Sequence, residues 1–443
     1  MRIALIFIVL LALLFPLLFT VTGDGVTLKS RIQMFLTWSL WAVTFVLSML
    51  TIFLACWCLS YEVREKHIQL VAVKPIARWQ FVVGKWLGII VLDLALLAVC
   101  GGTVYGFVRY LVATHTPVNE EDRIGVFEEI LAARGHASVK CPDLPARVED
   151  RIRQLRNENR LPASAELDEI RRNIAREIES EYLTVPPEGS REYVFAFSRF
   201  LVVRRPDTYV TIRFRPGSGQ TPEWDLWRSA WEAGDPRKQT AYGRVVRSDA
   251  SDRYHTIQIP TECVAEDGTL RVVVHNLDPT AAMVFTGMEG RIELLYPIGG
   301  FGWNFVRALT LIATRLVFLA AMGVMFSSFL SFPVACMATL ILFFLSIGVG
   351  FLGEALQWTM PSSSSGDPFW ILGPALRAIN HAMIWIVPDL SKFDPIPTLA
   401  EGRVVSLMWI ISGTVQLVLT RAALLGLLAC VIFTRREMAE VVA

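Results

Sequence analysis

The chain has 443 residues, 53% of them hydrophobic, and a positive mean hydropathy. Soluble domains do not average so high, so the composition is that of an integral membrane protein. A net charge of +1 excludes the basic surplus with which nucleic-acid binders neutralise phosphates.

Charge is uneven along the chain. Residues 119–182 are crowded with Glu, Asp and Arg while both ends are nearly bare, which predicts a water-soluble block between two membrane blocks. Residues 3–22 are apolar after Met1-Arg2, and about twenty such positions suffice to span a bilayer. A cleaved signal peptide is the rival reading. The run is long for one and no small-x-small site follows, so an uncleaved helix with its N-terminus inside is expected. Gly23-Asp24-Gly25 makes a turn. Residues 33–58 form the second span, entered through Trp38 and Trp41.

The stretch Glu62–Lys85 carries Arg64, Lys66, Lys74, Arg78 and Lys85 between two apolar runs. The positive-inside bias places such a loop in the cytoplasm. Its first half, with Ile68, Leu70, Val71 and Val73 behind Glu62 and Glu65, reads as an amphipathic helix. Pro75 ends it, having no N–H and disfavouring helical geometry in the preceding residue. A second short helix with Trp79, Phe81 and Val82 is expected to run to Gly84-Lys85. Residues 86–113 form the third span, where Gly101, Gly102 and Gly106 would let helices approach closely.

Residues 114–300 form the soluble block, outside the cytoplasm by topology count. Its first part, 114–190, contains a helical hairpin of Pro145–Asn159 and Ser164–Tyr182. Val148, Ile152 and Leu155, then Leu167, Ile170, Ile174 and Ile178, recur three and four apart. Leu161-Pro162-Ala163-Ser164 is the turn, with Ser164 as N-cap. Glu166, Glu169, Arg172 and Arg176 form a solvated face with i,i+4 pairs. In the second part, 191–300, the period changes to two. Strands are expected at 193–203, 208–215, 254–260, 269–276 and 290–296, with Glu266-Asp267-Gly268 as a hairpin turn. Short successive strands with Pro and Gly turns predict an antiparallel sandwich. It resembles, at fold level only, jelly-roll modules of the carbohydrate-binding kind, which establishes no ligand. Trp224, Trp227 and Trp231 recur at helical spacing within Glu223–Asp235. They are read as the buried face of a short helix, or else as a stacking platform for a sugar.

Residues 303–328 and 333–356 form two further spans, antiparallel because only Phe329–Phe332 separates them. Residues 357–403 return outside, and within them 369–388 is apolar but interrupted by Pro374, Arg377, Asn380 and His381. That is too polar for a span and reads as re-entrant or interfacial. Residues 404–433 form the sixth span, and Thr434-Arg435-Arg436-Glu437 puts positive charge inside. The fold class is a polytopic α-helical membrane protein with six transmembrane helices and an extracytoplasmic α+β domain.

The run Glu62…Glu65, an apolar helix, Lys74-Pro75-Ile76-Ala77-Arg78 and Gly84-Lys85 resembles the cytoplasmic coupling segment of ABC-2 type transporter permeases. Phe326-Ser327-Ser328-Phe329, Pro333-Val334-Ala335 and the Phe433…Arg435-Arg436-Glu437 ending are similar to that family too. The resemblance covers residues 1–113 and 301–443, and the large insert between spans three and four departs from it. It implies docking of residues 59–85 on a separate cytoplasmic ATPase that binds ATP and Mg. It also implies a dimer with a second permease copy or paralogue, and export as the direction. Both termini would be cytoplasmic, in a bacterial-type inner membrane, with membrane lipid around the spans and an envelope partner open to residues 114–300.

The chain has no GxxxxGK[ST], HExxH or GxSxG, and its six histidines do not pair at ligand spacing. No metal site, no nucleic-acid partner and no catalysis by this chain are expected. Of seven cysteines, Cys56, Cys58, Cys100, Cys336 and Cys430 lie in apolar runs. Cys141 and Cys263 lie in the soluble block, where one disulfide or two thiols are both compatible with sequence. Asp93, Arg315 and Arg421 fall inside spans three, four and six. Charges in lipid are costly, so Asp93 is expected to pair with Arg315 or Arg421, as a static lock or as a gate contact. The leading reading is a permease subunit of an ABC exporter. The alternatives are a membrane-anchored binding or signalling protein, and an ATPase-driven machine that works mechanically on an envelope partner.

Overall fold

The computed structural model describes residues 27–64, 77–139, 141–158, 167–196, 209–217, 226–235, 237, 240, 243–285, 292–359 and 388–435. The expected first span at 3–22, the turn 161–164 and the re-entrant segment 369–388 lie outside or almost wholly outside them. Two units result: one from the described residues of Met1–Ala133 and Gly299–Ala443, the other Arg134–Ile298. Residues 115–133, expected in the soluble block, fold with the helices.

Five helices are long and apolar enough to cross a membrane, as expected of a multi-pass membrane protein. Helix α1 is Leu28–Arg64, 37 residues with no glycine or proline to interrupt it. Helix α2 is Arg78–Thr114, also 37 residues. At about 1.5 Å per residue each exceeds the roughly 30 Å of a hydrocarbon core. The expected short helix over Trp79–Val82 is therefore not separate: those residues are the first turns of α2. Gly84 does not break the run, because one glycine costs a helix interior only about 1 kcal/mol. The side chain of Gln80 accepts from the Ala77 N–H at 3.3 Å and helps to start α2.

At the other end of this pair, Glu120–Ile124 forms the short helix α3, which runs into a π-helical turn, Gly125–Ile130. From α3, Asp122 caps α1. Its carboxylate accepts from the backbone N–H groups of Leu28 (3.0 Å), Lys29 (2.9 Å) and Val118 (3.2 Å). Burial opposes the charge on Asp122, but these donors and the nearby Lys29 outweigh it and lower its carboxyl below the ordinary value. Lys29 also forms an ion pair with the buried Glu129.

The second unit begins in strand β1 (Ala132–Ser138) and continues into helices α4 (Leu144–Asn157) and α5 (Leu167–Tyr182). The two helices pair as expected, closing Val148, Ile152 and Ile174 between them. Arg171 on α5 meets Glu149 on α4 at 3.0 Å. Ten strands follow: β2 (Thr184–Val185), β3 (Ser190–Ala196), β4 (Tyr209–Phe214), β5 (Pro216–Gly217) and β6 (Leu226–Ala233), then β7 (Gly243–Ala250), β8 (His255–Pro260), β9 (Thr269–Asn276), β10 (Met283–Phe285) and β11 (Ile292–Gly300). The sheets run β1-β11-β4-β8, β3-β9-β6-β7 and β2-β10-β5. Tyr193, Phe195, Ile212, Phe214, Trp227, Trp231, Phe285 and Leu294 fill one shared core.

The helix expected over Glu223–Asp235 is strand β6 instead, paired with β7 and β9. Trp227 and Trp231 are four apart, which keeps them on one face of a strand as well as of a helix. Ser229 and Ala233 fill that same face, and only the pairing decides between the two periods. Trp224 lies outside the described residues. Strand β3 begins at Ser190 rather than 193, in register from Ser190 opposite His275 to Ala196 opposite Thr269. Strands β1 and β7 were not expected. The sequence of β1, Ala-Ala-Arg-Gly-His-Ala-Ser, has little strand propensity and depends on its neighbour β11. Strand β7 is a sheet edge, mostly exposed, so it shows no burial alternation. Cys141 and Cys263 are free thiols.

The chain then enters α6 (Phe301–Ser327), reverses at 328–331, and returns in α7 (Phe332–Thr359). After the short helix α8 (Ile396–Ala400) comes α9 (Leu407–Arg435), which is π-helical over Thr414–Ala422. Ser406 caps α9 by accepting from the Trp409 N–H at 3.2 Å. Of the five glycines on α2, only Gly101 brings helices together: a Cβ there would stand 2.6 Å from Leu309 on α6, while Gly84, Gly88, Gly102 and Gly106 meet nothing within 4 Å.

Two outcomes are expected. Trp231→Ala opens a cavity in the sandwich core and costs about 3–5 kcal/mol of unfolding free energy; a denaturant titration showing under 1 kcal/mol contradicts the placement of Trp231. The Asp122 carboxyl is lowered on folding, so its contribution is full at neutral pH and fades as pH falls through the lowered value. The melting temperature should drop with acid more steeply in the wild type than in Asp122→Asn.

Candidate functional site

Three groups of polar contacts lie along the helical unit. At one end, the last turn of α1, the first turns of α2 and the last turn of α9 meet. Glu62 on α1 forms an ion pair with Lys85 on α2. The Lys85 ammonium also sits 5.4 Å over the Phe81 ring, which stacks on Phe433 at 6.1 Å. Arg78 donates to the Thr434 carbonyl at 3.2 Å, and the Trp86 indole donates to the Val317 carbonyl of α6 at 3.4 Å. Of the residues assigned to coupling, Glu62, Lys85 and Arg78 thus gather in one clasp. Gly84 stands in open space beside it. Glu65, Lys74 and Pro75 lie outside the described residues.

The second group lies within the bundle. Asp93 is 2% exposed and faces α1, where the Thr51 hydroxyl stands 2.9 Å from its Oδ2. The expected pairing with Arg315 or Arg421 is not formed. Arg315 is buried on α6 and its partner is Asp394, at 3.8 Å. Arg421 sits at the end of the π-helical stretch of α9 with no carboxylate partner among the described residues.

Asp394 was read as part of an outside loop, yet the segment leading to α8 reaches into the bundle. Leu390 donates its N–H to the carbonyl of Ser346, near the middle of α7, at 2.9 Å. Asp389 lies against Gly350 of the same helix. The segment holds its shape by side-chain turns: Asp389 accepts from the Ser391 N–H at 3.0 Å, and Asp394 from the Ile396 N–H at 3.2 Å. Asp389-Leu390-Ser391 and Asp394-Pro395 were the sequence signals for those turns. Nothing in them gives depth.

The third group closes the opposite end. The Asn304 side chain on α6 donates to the Arg403 carbonyl and accepts from the Val405 N–H, both at 2.7 Å. Gly402 has φ +69°, and a Cβ there would fall 1.7 Å from the carbonyl oxygen of Glu129. Residues 389–405 therefore climb from mid-bundle to this end, fixed at both levels.

In the second unit, Trp227 and Trp231 are 0% and 3% exposed. Trp231 packs on Phe214 at 4.4 Å and Phe285 at 5.9 Å. The rings are core, and their faces are not open to a sugar. Two charge clusters decorate the sheets: Arg247 and His255 on Asp249 (2.7 and 3.3 Å), and Arg244 and His275 on Glu232 (3.6 and 3.4 Å). Arg271 holds Glu192 below the ordinary carboxylate value through a 2.8 Å contact. Among the described residues no group of three His, Cys, Asp or Glu is arranged to hold a metal ion. In the helical unit the arrangement places charged groups both inside the bundle and at its ends.

No family model, curated protein or solved structure matches the chain.

Asp394→Ala leaves Arg315 buried with no counter-ion. The expected cost is about 3 kcal/mol, the lower end for a broken buried pair, because Asp394 is partly exposed. Arg315→Met added to that variant should recover most of the loss in a thermal-shift measurement. No recovery contradicts an Arg315–Asp394 pair.

Proposed function

We propose that this chain is the transmembrane permease subunit of an ATP-driven ABC exporter. A separate cytoplasmic ATPase binds ATP and Mg, and two permease subunits, identical or paralogous, join two ATPases. The observation that carries this reading is the clasp of Glu62, Arg78, Lys85 and Thr434. It brackets the basic segment that resembles a coupling element. A partner pressing on that segment would push α1, α2 and α9 together, since ion pair and hydrogen bond tie their ends. The family reading itself rests on the likeness of short motifs, which is analogy.

Under this reading the clasp end is cytoplasmic and the second unit lies outside, where it receives or hands over a substrate. The membrane is the bacterial-type inner membrane with both termini inside. Glu65, Lys74, Pro75 and Gly84 complete the docking surface. The chain carries no phosphate-binding glycine loop, so this reading puts ATP hydrolysis on the partner.

Purification in mild detergent from the native membrane tests this. A P-loop ATPase should accompany the wild type and be lost from Arg78→Glu, with the variant still folded. A chain that purifies alone, unchanged by the substitution, supports a membrane-anchored binding or signalling protein instead. If the ATPase binds but sealed vesicles move no substrate, the complex works mechanically on an envelope partner.

A further inference from the structure

The hydrogens available around Asp93 are fewer than its contacts require. Thr51 Oγ1 lies 2.7 Å from the Leu47 carbonyl oxygen one turn back on α1, and 2.9 Å from Asp93 Oδ2. Both are hydrogen-bond distances between oxygens. A hydroxyl has one hydrogen to donate, and a carbonyl oxygen and an ionised carboxylate have none. Two oxygen–oxygen contacts therefore share one hydrogen. The shorter one, within the helix, takes the threonine hydrogen, as is usual for helical threonine. One hydrogen split between two acceptors makes a bent, weaker three-centre bond, whereas a hydrogen on Asp93 Oδ2 gives each contact its own.

The surroundings agree. Asp93 is 2% exposed, one helical turn from the buried Ile89 and Leu97 on α2, and its Oδ1 has no hydrogen-bond partner. A buried carboxylate with one oxygen unpartnered and no cation is far costlier than a neutral acid in the same place. Three helices pack against α2: α1, α6 and the last part of α9. Their charged groups are Lys29, Arg31, Glu62 and Arg64 on α1, Arg307 and Arg315 on α6, and Arg421 and Arg435 on α9. None reaches Asp93, whose polar contact among the described residues is Thr51. On its own helix the nearest buried titratable side chain is Cys100, two turns away.

We propose that Asp93 is a proton-binding site within the bundle: a neutral carboxylic acid that donates from Oδ2 to Thr51, which donates in turn to Leu47. The proton stays while the α1–α2 contact is dry. When that contact opens and water reaches Asp93, an ordinary carboxylate environment returns and the proton leaves at neutral pH. Opening of this contact is therefore linked to release of one proton and is favoured by rising pH. The inference stands whatever protein drives the bundle.

Infrared difference spectroscopy of the full chain in lipid bilayers at neutral pH tests it. The wild type minus Asp93→Asn should show one protonated-carboxyl C=O stretch, shifted by exchange into heavy water. Loss of carboxylate stretches instead, or no protonated-carboxyl difference, overturns the proposal. Asn is isosteric with the neutral acid, and its amide can donate to Thr51, so this variant should melt close to the wild type. Thr51→Val supplies an independent measurement should Asp93→Asn not assemble. It removes the acceptor, so the carboxyl band should persist at higher frequency, and an unshifted band overturns the assignment.

Discussion

Hydrocarbon offers no hydrogen bonds, so every polar group a span buries must find its partner within the protein. Much of the helical unit follows from that constraint. Asp93 turns to a hydroxyl on the adjacent helix. Arg315 requires a counter-ion at mid-depth, and a non-helical segment enters the bundle carrying Asp394. That segment brings backbone donors and acceptors of its own. Ser346 satisfies one of them, and the Asp389 and Asp394 side chains satisfy others. Asn304 closes the last gap by meeting a carbonyl and an N–H with one side chain. The same demand that makes irregular backbone rare at this depth explains why this piece is so densely tied.

The two ends of the unit are held differently. One end is fixed by backbone: Asp122 gathers three N–H groups, and Gly402 lies against the Glu129 carbonyl so closely that no side chain fits. The other end is held by long, half-exposed side chains, Lys85 on Glu62 and Arg78 on Thr434. Partly exposed ion pairs contribute little, about 0–1 kcal/mol, and reform easily. One end is thus tied mainly through backbone groups and the other through side chains that include the stacked Phe81 and Phe433.

The spans were legible because about twenty apolar residues have one simple fate in a chain of this composition. Leu28–Arg64, Arg78–Thr114, Phe301–Ser327, Phe332–Thr359 and Leu407–Arg435 match five expected runs. Strands with clean alternation, such as Tyr209–Phe214 and Thr269–Asn276, were also legible. What sequence missed was decided by partners far along the chain. Leu226–Ala233 carries tryptophans at a spacing that serves helix and strand alike, and β7 and β9 made it a strand. Ala132–Ser138 is a strand against its own propensity. The counter-ion of Arg315 was hidden because Asp394 sits in a stretch whose composition speaks for the surface. The charges themselves were found; their pairing depends on depth and rotation, which no local pattern encodes.

The π-helical stretch of α9 leaves a mark in the spacing of buried residues. Gly413 and Leu417 are buried four apart, but the next buried position is Ala422, five on, followed by Ala429 and Phe433. A five-residue step is the turn of a π-helix, which closes i to i+5. The strand of contacts against α2 and α6 is therefore continuous in space although it slips by one residue in sequence. A helical wheel drawn with a single period over Leu407–Arg435 puts one half of this helix on the wrong side. The wider turn brings the second half of α9 onto the bundle, and deleting one residue within it would rotate Phe433 away from Phe81 without changing a single side chain at the contact.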